Sequence, residues 1–179
     1  MLREGRRMVS SYSSPHVFVG GPFHYAVSDS GIFDPVVGAL ILKIITSLEN
    51  AGFTILSSHL AEEFGQASVE DASEQIVRRD FDWMQSCDVY VCLLPNHENG
   101  TSYRSDGCCI ELGWASALRK PIVVVRDLNT SYTDLMVGLG AIGSVEQLPI
   151  LEVSNSPNLL VEAIHLLLRE GQMTDGSAV

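Results

Sequence analysis

Short apolar segments alternate with helix-patterned segments along most of the chain, and this alternation limits the possible folds more than any other feature. Residues 16–19, 53–56, 88–94, 122–125 and 150–153 have the length and the β-branched or aromatic content of strands. Residues 36–50, 70–86, 108–118 and 159–169 have helical spacing, and residues 135–139 form a further candidate helix. Such alternation implies βαβ units and a parallel sheet. We therefore predict an α/β protein, a Rossmann-like or flavodoxin-like three-layer sandwich with a five-stranded parallel sheet.

The length of 179 residues fits one domain. We expect this domain to span residues 16–170. Residues 1–15 are rich in Ser and Arg and residues 171–179 are polar, so we expect a flexible N-terminal arm and a flexible tail.

The net charge of −11 excludes several kinds of partner. A body this acidic will not hold polymeric nucleic acid or an anionic membrane by charge, although a small anionic ligand needs only a local set of donors. The four cysteines lack the spacing of a metal site, so we predict neither a metal nor a cofactor. The first residues lack the apolar core of a secretion signal, and Lys43 interrupts the longest apolar stretch. We expect a soluble cytoplasmic protein.

Three loops follow the first three predicted strands, at residues 20–25, 57–65 and 95–111. In open α/β sheets, ligands bind at the carboxyl ends of the strands, so the functional residues are expected here. The first loop begins with Gly20 and Gly21 but matches neither a dinucleotide fingerprint nor a P-loop. It is either a tight turn or a turn that lines a ligand.

The most informative segment is residues 105–115, where a glycine-containing loop opens a helix. Backbone N–H groups at such a helix start suit an anion. Glu111 follows about one turn later, inside an apolar run in which an acid is costly to bury without a reason. An exposed surface glutamate is the alternative. Gly113 and Ala115 would permit close contact between helix and sheet, which favours an inward-facing, functional Glu111.

Two other polar residues have plain structural interpretations when taken singly. Asp80 lies beside the apolar stripe of its helix rather than within it, so a solvated acid is the default expectation. His59 follows the second strand at the edge expected to bind a ligand, and a hydrogen-bonded structural histidine is its default.

Taken together, these segments resemble the nucleoside 2-deoxyribosyltransferase superfamily over residues 17–153. The resemblance lies in the GGPF loop, the SHLAEEFG segment, the RRDFDWMQSCDVYVCLLP segment and, most specifically, the IELGWAS helix followed by KPIVVV. Within the superfamily the chain is most similar to the nucleotide N-glycosidase branch, and especially to the cytidylate hydrolases of nucleoside-antibiotic biosynthesis.

The resemblance implies roles for individual residues. Glu111 matches the nucleophile that attacks C1′ of the sugar, and Asp80 matches an acid that orients the substrate or assists the leaving base. Ser105 matches a position at which nucleotide hydrolases have Ser and nucleoside transferases have Asp. A serine can donate to a phosphate that an aspartate would repel. Gly107 matches a neighbouring backbone position that binds phosphate.

Other implied contacts surround the base, the sugar and the phosphate. His59 matches a histidine near the base or sugar, and Phe23 matches an aromatic residue against the base. Gly20 and Gly21 line the first loop, in which His24 stands where the branch often has an Arg for the phosphate. Family members are homodimers with shared active sites, and Thr133 is the candidate for the contact supplied by the neighbouring subunit.

The implied function is hydrolysis of the N-glycosidic bond of CMP or a 5-substituted CMP, giving free base and ribose 5-phosphate through a covalent glycosyl-Glu111 intermediate. Hydrolysis of deoxynucleoside 5′-monophosphates and transfer between nucleobases are close alternatives. A nucleotide-binding module without catalysis and a flavodoxin-like flavin carrier are alternatives from other classes.

Overall fold

A parallel five-stranded sheet forms the centre of the computed structural model, which describes residues 14–23, 26–28, 30–65, 73–97, 99–103, 105–130 and 138–175. The strands are β1 (His16–Gly20), β2 (Thr54–Leu56), β3 (Val89–Leu94), β4 (Ile122–Arg126) and β5 (Val145–Pro149). Their order in the sheet is β2-β1-β3-β4-β5, with every neighbouring pair parallel. The predicted α/β class and five-stranded parallel sheet are confirmed.

The helices are α1 (Pro35–Asn50), α2 (Ser58–Ala61), α3 (Ser73–Ser86), α4 (Asp106–Ala117), α5 (Ile150–Asn155) and α6 (Asn158–Asp175). Two short 3-10 helices cover Glu63–Gly65 and Gly138–Ala141. Helix α1 begins as predicted, because Asp34 accepts hydrogen bonds from the first free backbone N–H groups and Pro35 occupies the first turn. The closing helix α6 continues past its predicted end at Arg169.

The predicted fifth strand at residues 150–153 is wrong. These residues form α5, in which Val153 is fully buried and Leu151 is 75% exposed. Strand β5 instead precedes them and contains the polar Glu146 and Gln147. It is an edge strand with one neighbour, so its hydrogen bonds to β4 define it although it lacks an apolar run.

Side chains of the central strands alternate between two apolar cores, one on each face of the sheet. Val17 and Val19 point into the core that α1 and α6 cover. Phe18 and Tyr90 point into the core on the opposite face, together with residues of α3 and α4. Tyr90 brings a hydroxyl group into this second core, and that hydroxyl belongs to the candidate site.

One expectation about helix α4 is corrected. Gly113 is exposed, and a β-carbon added there would meet no atom within 4 Å, so it is not the source of close packing. Ala115 is fully buried and does face the core. Among the described residues, no helix is long and apolar enough to cross a membrane.

Candidate active site

Glu111 is buried against the carboxyl end of β1. The Tyr90 hydroxyl donates a hydrogen bond of 2.5 Å to Glu111 Oε2. The same oxygen would lie 2.3 Å from a β-carbon at Gly20, the last residue of β1. The inward-facing interpretation of Glu111 is therefore correct, and the acid lies at the edge of the sheet where ligands were expected.

The environment of Glu111 weakens its acidity. Burial raises the pKa of its carboxyl to about 7, and the negative charges of Asp80 and Glu62 act in the same direction. The hydrogen bond from Tyr90 and the positive charge of Arg79 oppose this rise. A buried carboxyl that titrates near neutrality is typical of functional sites.

Asp80 belongs to a group of paired charges beside Glu111. It is buried, not solvated as its position on the helix suggested. Arg79 donates to Asp80 Oδ1 through Nε at 2.9 Å and to Glu62 Oε1 through Nη2 at 2.6 Å. Burial raises the pKa of Asp80, and its contacts with Arg79 act against that rise. The structure thus holds two further carboxylates near Glu111 by means of one guanidinium.

His59 lies in an aromatic pocket next to this group. Its ring is packed against Phe23, Phe33 and Phe64 at centroid distances of 5.5, 5.8 and 5.9 Å. Nε2 lies 3.1 Å from the backbone carbonyl oxygen of Pro22, which only accepts, so Nε2 carries the proton. Burial lowers the pKa of His59 to about 4. His59 is therefore neutral near pH 7, and its buried, hydrogen-bonded ring has the structural role that was its default expectation.

The Gly20-Gly21 pair lies against both Glu111 and His59. Gly20 gives room to Glu111 and Tyr90, while a β-carbon at Gly21 would lie 3.2 Å from Cε1 of His59. A side chain at Gly20 would enter space already occupied, whereas one at Gly21 would require the His59 ring to shift by a few tenths of an ångström. The loop is thus more than a tight turn, since it allows Glu111 and His59 to approach the end of β1 together.

Ser105 and Gly107 lie at the start of α4. Ser105 is the residue that caps this helix, and its Oγ accepts a hydrogen bond from the backbone N–H of Cys108. Gly107 lies in the first turn, is exposed and has open space around its α-carbon. Backbone N–H groups in a first helical turn have no partner within the helix, so this end of α4 can accept an anion.

Two of the predicted site residues, His24 and Thr133, lie outside the described residues. Within the described part of the chain, no cluster of three or more His, Cys, Asp or Glu side chains could hold a metal ion.

Sequence reasoning missed three members of the site. Tyr90 was hidden in an apolar run, although a buried tyrosine usually needs a partner for its hydroxyl, which was an available signal. Glu62 and Arg79 gave no comparable signal. Neighbours in a helix do not normally face each other, so the contact between Arg79 and Asp80 depends on how α3 meets the loop that carries Glu62.

The protein has a doubly wound α/β fold, in which the side chain of Glu111 is buried where the first strand ends. The chain belongs to the nucleoside 2-deoxyribosyltransferase family, whose family model matches residues 30–167. The match begins after the Gly20-Gly21 loop, includes Asp80, Ser105 and Glu111, and confirms the resemblance seen in the sequence. A comparison with curated protein sequences gave no match.

Several solved structures share the fold. BlsM aligns with a TM-score of 0.64 at 23% identity, over 88% of this chain and 91% of BlsM. The CMP N-glycosidase BcmB of Clostridium botulinum aligns with a TM-score of 0.50 at 22% identity, over 75% of this chain and 88% of BcmB. A 2-deoxyribosyltransferase of Bacillus psychrosaccharolyticus aligns with a TM-score of 0.54 at 16% identity, over 78% of this chain and 90% of that enzyme. At these identities the alignments establish the fold.

Proposed function

We propose that this protein is a nucleoside 5′-monophosphate N-glycosidase that hydrolyses CMP or a 5-substituted CMP. The observation that carries the proposal is the placement of Glu111, which is buried at the end of β1, receives the Tyr90 hydroxyl and has its pKa raised to about 7. Among the fold relatives, BcmB is described as a CMP N-glycosidase. A carboxyl group placed at this edge of the sheet suits the two-step chemistry of a retaining glycosidase, in which a carboxylate acts as the nucleophile.

In the first step, a Glu111 oxygen forms a bond to C1′ of the sugar while the bond from C1′ to the base nitrogen breaks. The electron pair leaves with the base, which receives a proton from water or from Asp80. In the second step, a water oxygen bonds to C1′ and the glycosyl ester breaks. This step restores the Glu111 carboxylate and yields ribose 5-phosphate, with the water proton released to solvent or to a carboxylate.

The phosphate is assigned to the start of α4. The Ser105 hydroxyl oxygen accepts from Cys108 N–H, and a hydroxyl that accepts a hydrogen bond can still donate its own proton, here to a phosphate oxygen. The backbone N–H of Gly107 lies in the first helical turn, where an anion is favoured. Holding the phosphate there supplies binding energy remote from C1′, which helps to orient the sugar over Glu111.

The base is assigned to the aromatic side of the site. Phe23 is packed against the buried His59 ring and borders the Gly20-Gly21 loop. An aromatic face beside the first loop suits stacking of a pyrimidine. We further propose that the protein works as a homodimer with shared active sites, with Thr133 as the contact from the neighbouring subunit. A mass measurement in solution tests this arrangement, and a monomer with full activity would contradict it.

Transfer between nucleobases is the second candidate. Membership of the nucleoside 2-deoxyribosyltransferase family favours it, because a second base could capture the same glycosyl ester. Ser105, where nucleoside transferases of the superfamily have Asp, favours a phosphorylated substrate and hydrolysis instead. An assay with a labelled second nucleobase separates the two, since only transfer incorporates label into a new nucleoside or nucleotide.

The deciding experiment is base release from a panel of ribonucleotides and deoxyribonucleotides, followed by liquid chromatography. We expect wild-type protein to release cytosine from CMP, and Glu111→Gln to abolish that release. Glu74→Gln is the matched control, because Glu74 is exposed on α3 and, among the described residues, forms an ion pair with Arg78 at 3.9 Å. Cytosine release by Glu111→Gln at the wild-type rate would contradict the nucleophile. No base release from any nucleotide by the wild type would contradict the function.

A further inference from the structure

The Arg79 side chain is held by three residues, two of which are buried acids of the candidate site. Nη2 lies 2.6 Å from Glu62 Oε1 and 2.8 Å from Asp80 Oδ1, while Nε donates to the same Asp80 oxygen at 2.9 Å. The guanidinium carbon lies 4.6 Å above the ring of Trp83. A planar guanidinium fixed on one face by an aromatic ring and along its edge by two carboxylates has little freedom to move.

The charge balance of the cluster depends on this arginine. Glu62, Asp80 and Glu111 are all buried, with 7%, 7% and 8% of their surface exposed. Buried carboxylates without a partner are strongly unfavourable. Burial alone would lower the pKa of Arg79, but its hydrogen bonds to Glu62 and Asp80 outweigh that effect and raise the pKa. The guanidinium therefore stays charged within the cluster.

Several charges and dipoles on the elements packed around the buried Glu111 act on its carboxyl group. Tyr90 faces it from β3, Cys108 precedes it on α4, Asp80 and Arg79 act from α3, and Glu62 acts from the segment after α2. Asp80 and Glu62 both disfavour an ionised Glu111, and Arg79 is the member of this set whose positive charge favours it.

We propose that Arg79 is a positioning residue of the active site, whose guanidinium fixes the Asp80 carboxylate beside Glu111 and whose positive charge favours the ionised form of Glu111. The consequence for turnover rests on the proposed function. The effect of Arg79 on the ionisation of Glu111 does not rest on the proposed function, because it concerns only the free protein. Arg79 itself need not touch the substrate.

The test compares Arg79→Gln with its neighbour Arg78→Gln. Arg78 is exposed and, within the part of the chain that the structure describes, forms an ion pair with the exposed Glu74, so it controls for loss of one positive charge on the same helix. The Glu111 carboxyl is followed by NMR of protein with ¹³C-labelled glutamate side chains, and its signal is assigned by its loss in Glu111→Gln. We expect the Glu111 titration midpoint to rise by about one pH unit in Arg79→Gln, as expected for loss of a nearby opposite charge. Arg78→Gln should leave the midpoint unchanged.

A second pair of variants separates charge balance from structural damage. Removing Glu62 together with Arg79 deletes a negative and a positive charge, so Glu62→Gln/Arg79→Gln should return the Glu111 midpoint toward the wild-type value. The double variant also leaves fewer unpaired buried charges. If Arg79→Gln does not fold, the midpoint of the double variant is compared with that of Glu62→Gln, and it should be the higher of the two.

An unchanged Glu111 midpoint in Arg79→Gln, or equal values in Glu62→Gln and the double variant, would overturn the proposal. With CMP as substrate, Arg79→Gln should move the acid limb of the kcat/KM profile, which reports the free enzyme, by the same amount as the NMR midpoint. Arg79→Lys retains the charge without the planar fork, so it should lower kcat while the midpoint stays near that of the wild type. If the wild type releases no base, the proposed function fails while the NMR comparison still decides the role of Arg79.

Discussion

Gly20 and Glu111 are in such close contact that no other residue type fits at position 20 without displacing the acid. An added β-carbon would lie 2.3 Å from Glu111 Oε2 and 2.6 Å from the Tyr90 hydroxyl. Real β-carbons do not approach oxygen atoms this closely. The end of β1, the start of β3 and the second turn of α4 therefore form one tightly packed unit around a single carboxyl group.

Gly20→Ala should displace the Glu111 carboxyl and break its hydrogen bond with Tyr90. We expect loss of most of the base-releasing activity and a destabilisation of about 1–3 kcal/mol from overpacking. Activity and urea unfolding measure the two effects. Gly113→Ala is the control, because it adds the same methyl group at an exposed helical position with no atom within 4 Å. The control should unfold at equal or slightly higher urea, and equal losses in both variants would contradict the steric explanation.

Glu111→Gln should stabilise the fold in a manner that depends on pH. Burial raises the pKa of Glu111 from 4.5 to about 7, so the folded protein prefers the protonated acid. The stability that protonated Glu111 contributes to the folded protein is fully present below pH 4.5 and is lost as the pH rises through 7. Wild type should thus be less stable than Glu111→Gln by up to about 3 kcal/mol at pH 8, with little difference at pH 4. Urea unfolding at both pH values checks this, and a difference independent of pH would contradict it.

Tyr90→Phe should move the acid limb of the pH–activity profile upward. The Tyr90 hydroxyl stabilises the ionised form of Glu111 and partly offsets the effect of burial, so its removal raises the pKa of Glu111 further. We expect a several-fold loss of kcat at pH 7 that is partly recovered at pH 8.5. Tyr103→Phe is the control, since the Tyr103 hydroxyl donates to Asp34 at the start of α1 instead. A uniform loss of activity at all pH values would argue against the proposed role of Tyr90.

Ser105→Asp should change substrate preference and leave the helix intact. Aspartate caps a helix as well as serine does, so the hydrogen bond from Cys108 N–H can be retained. Its negative charge would repel a phosphate, and KM for CMP should rise at least tenfold while cytidine becomes a comparatively better substrate. Ser105→Thr retains both the cap and the hydroxyl and should keep the preference for CMP. Equal KM values for CMP in the Asp and Thr variants would contradict the assignment of the phosphate to this helix end.

Local sequence pattern was sufficient to predict the α/β class, the first four strands and most helices. The runs that form β1, β3 and β4 are apolar because these strands are buried by helices on both faces. The edge strand β5 escaped prediction because its half-exposed position permits Glu146 and Gln147. The apolar residues just after it belong to α5, where only Val153 among the first four is fully buried.

The sequence by itself determined the order of strands and helices, and its resemblance to a family singled out Glu111, Asp80 and Ser105. Only the tertiary structure decided which atoms surround Glu111. Tyr90, Glu62 and Arg79 come from a strand, a loop and a helix that are separated along the chain, and no spacing rule relates them. The pKa of a buried acid depends on the charges and dipoles within a few ångströms of it, and folding alone brings these groups together.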